Sequence, residues 1–239
     1  MFALFKMLFV YVTLGGLAGI IGIPYSLIVG NVRLLYRVGM RIAWLGIRAA
    51  GVRVEVHGRE NVPEGVSCIF LANHVSNLDP PVLFPALPGE ASVMLKKELM
   101  RIPVLGTAMR MARFVPVQRR SSREAAQASV AAAAEAVRAG LHFLVFPEGT
   151  RSKDGRLQPF KGGPFYLAME TGAPIVPVAI SGTEKLMRKG SSKIYPGVAR
   201  VEMLRPVYPI GFKTREELMR AVRAELAEAL PMEMRPLES

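Results

Sequence analysis

The sequence predicts an α/β domain, with a mixed central sheet flanked by helices, behind an N-terminal membrane anchor. Three observations carry this reading. Short apolar runs alternate with punctuated helical segments from Val52 onward, residues Met7 to Val32 carry no charged side chain, and a basic stripe follows them. The domain boundary falls near residue 50, giving anchoring helices over 1–50 and a globular domain over 51–239. At 239 residues the chain is long enough for a sizeable core.

The apolar stretch is long enough to cross a bilayer core of roughly 30 Å. Gly15, Gly16, Gly19, Gly22, Pro24 and Gly30 interrupt it, and each is expected to weaken or kink a helix. A bent hairpin entering one leaflet, a straight span and a cleaved leader with Lys6 as its basic end all fit this pattern. The apolar run outlasts the usual core of a leader, which favours an uncleaved anchor. On a helical wheel Arg33, Arg37, Arg41 and Arg48 share an arc of about 80° that also holds Trp44. Leu34, Val38, Ile42 and Leu45 form a neighbouring stripe. A helix so divided lies well at an anionic membrane surface, or against a domain with its arginines in water.

Beyond Gly51 the strand candidates are Val52–Val56, Cys68–Ala72, Ser92–Leu95, Phe114–Val117, Leu141–Val145, Ile175–Ile180 and Arg200–Leu204. Capping-box spacing at Ser121 and Glu124 opens an alanine-rich helix that Gly140 ends. Gly163-Pro164 opens another that stops at Gly172. Thr214 and Glu217 open the last, with Leu218, Val222 and Leu226 facing inward. Alternation of this kind implies a largely buried sheet.

The net charge of +12 draws anionic partners. Nucleic acid is not among those expected, because neither a recognisable module nor basic residues interleaved with aromatics is present. The single cysteine, Cys68, excludes an internal disulfide and sits in an apolar run, where thiols are inert. Three dispersed histidines give no metal-ligand spacing, and no metal is expected. A serine elbow and a lysine-bearing phosphate loop are also lacking.

His74 differs from His57 and His142, which read as structural. It follows the run Ile69-Phe70-Leu71-Ala72 directly, and Asp79 lies five residues on. Ligands of open α/β sheets bind at the carboxyl ends of strands. A histidine there with a carboxylate folded onto its ring is a general base with an orienting partner. Phe146-Pro147-Glu148-Gly149-Thr150-Arg151-Ser152 also follows a strand and should emerge at the same edge. Gly149 allows close backbone approach, while Thr150, Arg151 and Ser152 supply donors. Lys96, Lys97, Arg110, Arg113, Arg119 and Arg120 form a basic cluster. Arg119 follows a strand end, and a guanidinium grips phosphate through paired hydrogen bonds.

Together these segments resemble the lysophosphatidic acid acyltransferases of the glycerolipid acyltransferase superfamily. Asn73, His74 and Asp79 match the family's first block, and Phe146 to Ser152 match its third throughout. Ile175-Val176-Pro177-Val178-Ala179-Ile180 matches the fourth. The second is looser: Val115-Pro116-Val117-Gln118-Arg119, preceded by Lys97-Glu98-Leu99 and the Pro103–Gly106 turn. Arg113 stands where a glycine is common and Gln118 where an acid is common. The resemblance spans roughly Val54 to Val207.

The resemblance implies acyl transfer to the sn-2 hydroxyl of 1-acyl-glycerol-3-phosphate, giving phosphatidic acid. The donor would be an acyl thioester, on coenzyme A or acyl carrier protein, with no other cofactor. His74 and Asp79 would be catalytic, without a covalent acyl-enzyme. Arg119, Glu148 and Gly149 would hold the glycerol phosphate, assisted by Thr150 and Arg151, with Lys97 a second phosphate ligand. An acceptor with another head group, such as a lyso-amino-acid lipid, is the alternative. The resemblance further implies a membrane-embedded helical hairpin at the N-terminus of the catalytic domain. That places the enzyme at the inner (cytoplasmic) membrane, with its active site on the cytoplasmic side.

Overall fold

The computed structural model describes residues 2–117 and 123–237. Seven strands form one sheet in the order β1-β7-β6-β2-β5-β3-β4. They are β1 (Val52–His57), β2 (Ile69–Ala72), β3 (Ala91–Lys96), β4 (Val115–Val117), β5 (His142–Val145), β6 (Ile175–Ser181) and β7 (Gly197–Met203). Every predicted strand is present, with ends shifted by a few residues. Five neighbours run parallel from β6 to β4, while β7 pairs antiparallel with β6 and parallel with β1. The sheet is therefore mixed, and β6, β2, β5, β3 and β4 all end at one edge.

Among the described residues eight α-helices accompany it: α1 (Phe2–Val29), α2 (Arg33–Ala49), α3 (Asp79–Ala86), α4 (Leu105–Met111), α5 (Arg123–Arg138), α6 (Gly163–Thr171), α7 (Thr183–Leu186) and α8 (Arg215–Ala229). Successive side chains of a strand point to opposite faces, so β2 feeds two cores. Phe70 and Ala72 pack on one side with Leu144, Val178, Val82 and Leu83 of α3, and Ile47 of α2. Ile69 and Leu71 pack on the other with Phe143, Phe165 of α6, and Leu218, Val222 and Leu226 of α8. Burial on both faces explains why β2 is an unbroken apolar run rather than an alternating one. Helix α8 begins as its spacing predicts, with Thr214 Oγ1 accepting from Glu217 N at 3.2 Å. Ser121, proposed to cap α5, lies outside the described residues.

The N-terminal region separates the bent reading of the apolar stretch from the continuous one. The glycines and Pro24 do not break the apolar stretch, because α1 is a single helix of 28 residues with Pro24 inside it. A glycine costs a helix only about 1 kcal/mol, little enough for a long helix to continue through it. The turn falls instead at Gly30–Asn31, where Asn31 Oδ1 accepts from Arg33 N. The hairpin is thus α1 against α2, tied by Tyr11 Oη donating to Ala43 O at 3.2 Å. Helix α1 is long and apolar enough to cross a membrane, and one face carries Phe5, Phe9, Leu17, Ile20 and Ile21 exposed. In α2 the four arginines are exposed as expected. The buried face is Leu35, Tyr36, Ile42 and Ile47, leaving Leu34 and Leu45 outside. Tyr36 fastens the hairpin to the sheet, since its hydroxyl accepts from Ala91 N at 2.9 Å.

Candidate active site

The parallel strands bring two loops together at their shared carboxyl edge. Loop 73–79 follows β2 and loop 146–152 follows β5, which is the strand beside it. Asn73 anchors the first loop to the third strand of this group. Its side-chain amide donates to Ile180 O at 2.9 Å and accepts from Ile180 N at 2.8 Å, extending the β2–β6 ladder by one side chain. Ser76 Oγ donates to Met187 O at 2.7 Å, fixing the loop's far end.

Within this frame His74 Nδ1 lies 2.7 Å from Asp79 Oδ2. The same oxygen accepts from Val75 N at 2.7 Å and Ser76 N at 2.8 Å. Asp79 is fully buried at the first turn of α3, where the helix dipole favours a negative charge. Its other oxygen, Oδ1, accepts from Thr183 Oγ1 at 2.6 Å. Thr183 opens α7 just beyond β6 and is itself buried. Gly182 makes that turn possible. Its φ is +89°, and a Cβ there would sit 2.3 Å from Val198 O.

The imidazole stacks on Phe146 with ring centroids 4.1 Å apart and keeps 14% of its side chain exposed. Nε2 has no hydrogen-bond partner among the described residues, so it faces the accessible side. With Nδ1–H committed to Asp79, Nε2 is the basic nitrogen. This assembly can take a proton from a hydroxyl and hold the resulting imidazolium.

Glu148 is the link between the loops. It is 4% exposed, and its oxygens accept from His74 N at 2.8 Å and Gln158 N at 3.4 Å. Ser152 N returns a bond to His74 O at 2.7 Å. Burial pushes the Glu148 carboxyl up to about 7, outweighing the two backbone donors and Arg223, with Asp79 adding repulsion. Gly149, in the left-handed region at φ +68°, and Thr150 lie exposed at the tip of the turn. Arg151 is half-buried, and its Nη1 is a buried donor with no partner among the described residues. Lys97 begins a short 3-10 turn right after β3, exposed at the same edge but without a hydrogen bond to His74 or Asp79. Arg119 lies outside the described residues.

The other predicted cations divide. Arg110 donates to Met100 O and Thr107 Oγ1 and so braces its own turn. Arg113 adopts φ +57°, the left-handed region that accounts for the glycine its position otherwise favours. His142 is structural, its Nδ1 accepting from Cys68 N at 3.0 Å, with burial lowering its pKa. Cys68 is buried and its thiol is pushed up to about 11, which keeps it inert. Sequence reasoning missed Thr183. The only signal was its place two residues past a strand end at this edge.

Known proteins similar to this chain are acyltransferases. A family model described as Acyltransferase matches residues 53–181. A chloroplastic 1-acyl-sn-glycerol-3-phosphate acyltransferase of Brassica napus is 36% identical over 192 residues, covering 79% of this chain and 55% of that one. The chain therefore spans little more than half of that relative's length. A 1-acyl-sn-glycerol-3-phosphate acyltransferase of Limnanthes alba is 31% identical over 206 residues, covering 86% of this chain and 72% of that one. The crystal structure of the 1-acyl-sn-glycerophosphate acyltransferase of Thermotoga maritima superposes with a TM-score of 0.79 at 29% identity, covering 94% and 90% of the two chains.

Thr183→Val leaves Asp79 Oδ1 without its donor in a dry site. A lost hydrogen bond to a charged group is worth about 1.5–3 kcal/mol, so kcat should fall roughly 10- to 100-fold, with Thr183→Ser restoring it. Equal losses in both variants would show that bulk, not the hydroxyl, matters. Glu148 generates a pH signature. Between 4.5 and about 7 the folded chain keeps a proton that the unfolded chain has released, so stability falls as pH rises through that window. In Glu148→Gln the Tm difference between about pH 5 and about pH 8 should shrink, and an unchanged difference would contradict the elevated pKa.

Proposed function

The chain belongs to the acyltransferase family, and on that premise we propose that it acylates the sn-2 hydroxyl of 1-acyl-glycerol-3-phosphate to give phosphatidic acid. The observation that carries this reading is the accessible Nε2 of His74 backed by the saturated carboxylate of Asp79. Nε2 removes the proton as the acceptor oxygen attacks the thioester carbonyl. The carbon–sulfur bond then breaks, and the departing thiolate takes the proton back from the imidazolium. No enzyme nucleophile intervenes, because the thioester is already activated and only the hydroxyl needs proton removal. The acyl group arrives on coenzyme A or acyl carrier protein, and no other cofactor takes part.

Arg119 and Arg151 hold the acceptor's phosphate, with Lys97 as a further cation. The unsatisfied Nη1 of Arg151 supports its part, since a buried donor without a partner is costly until an anion meets it. Gly149 and Thr150 offer the exposed backbone and hydroxyl of the same turn. Glu148 contributes through His74, because backbone donors already occupy both its oxygens. The exposed apolar face of α1 and the arginines of α2 hold the enzyme at the cytoplasmic face of the inner membrane, where its lipid substrate resides.

Purified protein in detergent, given lysophosphatidate and an acyl thioester, should release free thiol. His74→Ala should lower the rate by on the order of 10²–10⁴-fold without unfolding the chain, and undiminished turnover would refute the mechanism. Arg119→Lys loses bidentate geometry, so the KM for lysophosphatidate should rise about tenfold while that for the donor holds. Equal changes in both would assign Arg119 a structural role.

A further inference from the structure

Residues Lys97–Met111, a 3-10 turn followed by α4, leave β3 at the catalytic edge and run to α1. Val104 lies at their apex with φ +65° and ψ −61°, a conformation that β-branched residues avoid. It is seated on α1 at Gly19, where an added Cβ would lie 2.0 Å from Val104 Cγ1. The contact falls well inside α1, next to its exposed Leu17, Ile20 and Ile21. Whatever depth of bilayer receives those side chains also receives the turn.

The turn is built for that setting. Leu99, Ile102 and Leu105 are 38%, 43% and 43% exposed. Four of its backbone donors are paired internally: Ile102 N to Leu99 O, Leu105 N to Pro103 O, Gly106 N to Ile102 O and Ala108 N to Val104 O. Pro103 has no N–H, and the guanidinium of Arg110 covers Met100 O. Irregular backbone tolerates hydrocarbon only when its polar groups are paired in this way. Exposed Lys97, Arg110 and Arg113 lie outside the Leu99–Leu105 tip, and exposed Arg101 within it has a side chain long enough to reach anionic head groups.

We propose that Lys97–Met111 is a second lipid-contacting element. Leu99, Ile102 and Leu105 enter the acyl region of the leaflet that holds α1, and the flanking cations stay among the head groups. Because Lys97 leaves the same sheet edge that carries His74, this wedge sets the height of the catalytic edge above the lipid. The acceptor's hydroxyl then meets His74 while its chain stays in the leaflet. The inference rests on the membrane placement proposed above.

Spin labels at Leu17→Cys, Ile102→Cys, Leu105→Cys and Val66→Cys, each in the full chain carrying Cys68→Ala, test it in phosphatidylglycerol–phosphatidylethanolamine vesicles. Val66 is exposed before the amino end of β2, at the opposite edge of the sheet. Labels at Ile102 and Leu105 should be relaxed by oxygen and shielded from a water-soluble nickel chelate, as at Leu17, with Val66 showing the reverse. Nickel access at Ile102 and Leu105 with Leu17 shielded overturns the wedge alone. Nickel access at Leu17 as well overturns the membrane placement with it. As a second readout, Ile102→Asp with Leu105→Asp should raise the KM for vesicle-borne lysophosphatidate about tenfold and leave the donor's unchanged. A normal acceptor KM in that variant would count against the proposal.

Discussion

The carboxylate of Asp79 accepts four hydrogen bonds, from His74 Nδ1, Val75 N, Ser76 N and Thr183 Oγ1, and the carboxyl edge of the sheet is arranged to supply them. A charge buried this completely is tolerable only when every lone pair finds a donor. That demand curls loop 73–79 back on itself, presents two successive backbone N–H groups, and draws α7 across from the end of β6. The imidazole of His74 is oriented as a consequence. His74 can turn neither ring nor backbone without breaking a bond to Asp79, Glu148 or Ser152.

The sheet makes this economy possible. Running β2, β5 and β6 parallel places three strand ends side by side, so loops distant in sequence meet without long excursions. Asn73 shows how tightly the arrangement is drawn, since a side chain continues the ladder where the β2 backbone departs. Glu148 shows its cost. A carboxyl with a pKa near 7 reports a group held in place against its preference for water. Such groups gather where function, rather than stability, sets the arrangement.

Outside the edge, the hairpin of α1 and α2 is fastened to the domain at several points, through Tyr36, Met7 and the contact of Gly19 with Val104. The helical hairpin and the loop carrying His74 are therefore parts of one packed body.

Local sequence determined the elements. All seven strands, the start of α8 at Thr214 and the αL stop of α6 at Gly172 were legible, because periodicity and caps act within a few residues. The pairing of His74 with Asp79 was legible for the same reason, their separation being five residues. Tertiary structure decided what depends on distant partners. Thr183 joins Asp79 from 104 residues away, and Asn73 meets Ile180 across 107. No local pattern encodes those contacts, since they exist only once β6 has docked beside β2. The unbroken course of α1 through its glycines was not legible either, because a glycine's cost of about 1 kcal/mol weakens a helix without fixing where it ends. The candidate residues His74 and Asp79 could be read from the chain, while those that hold them in place appeared only in the fold.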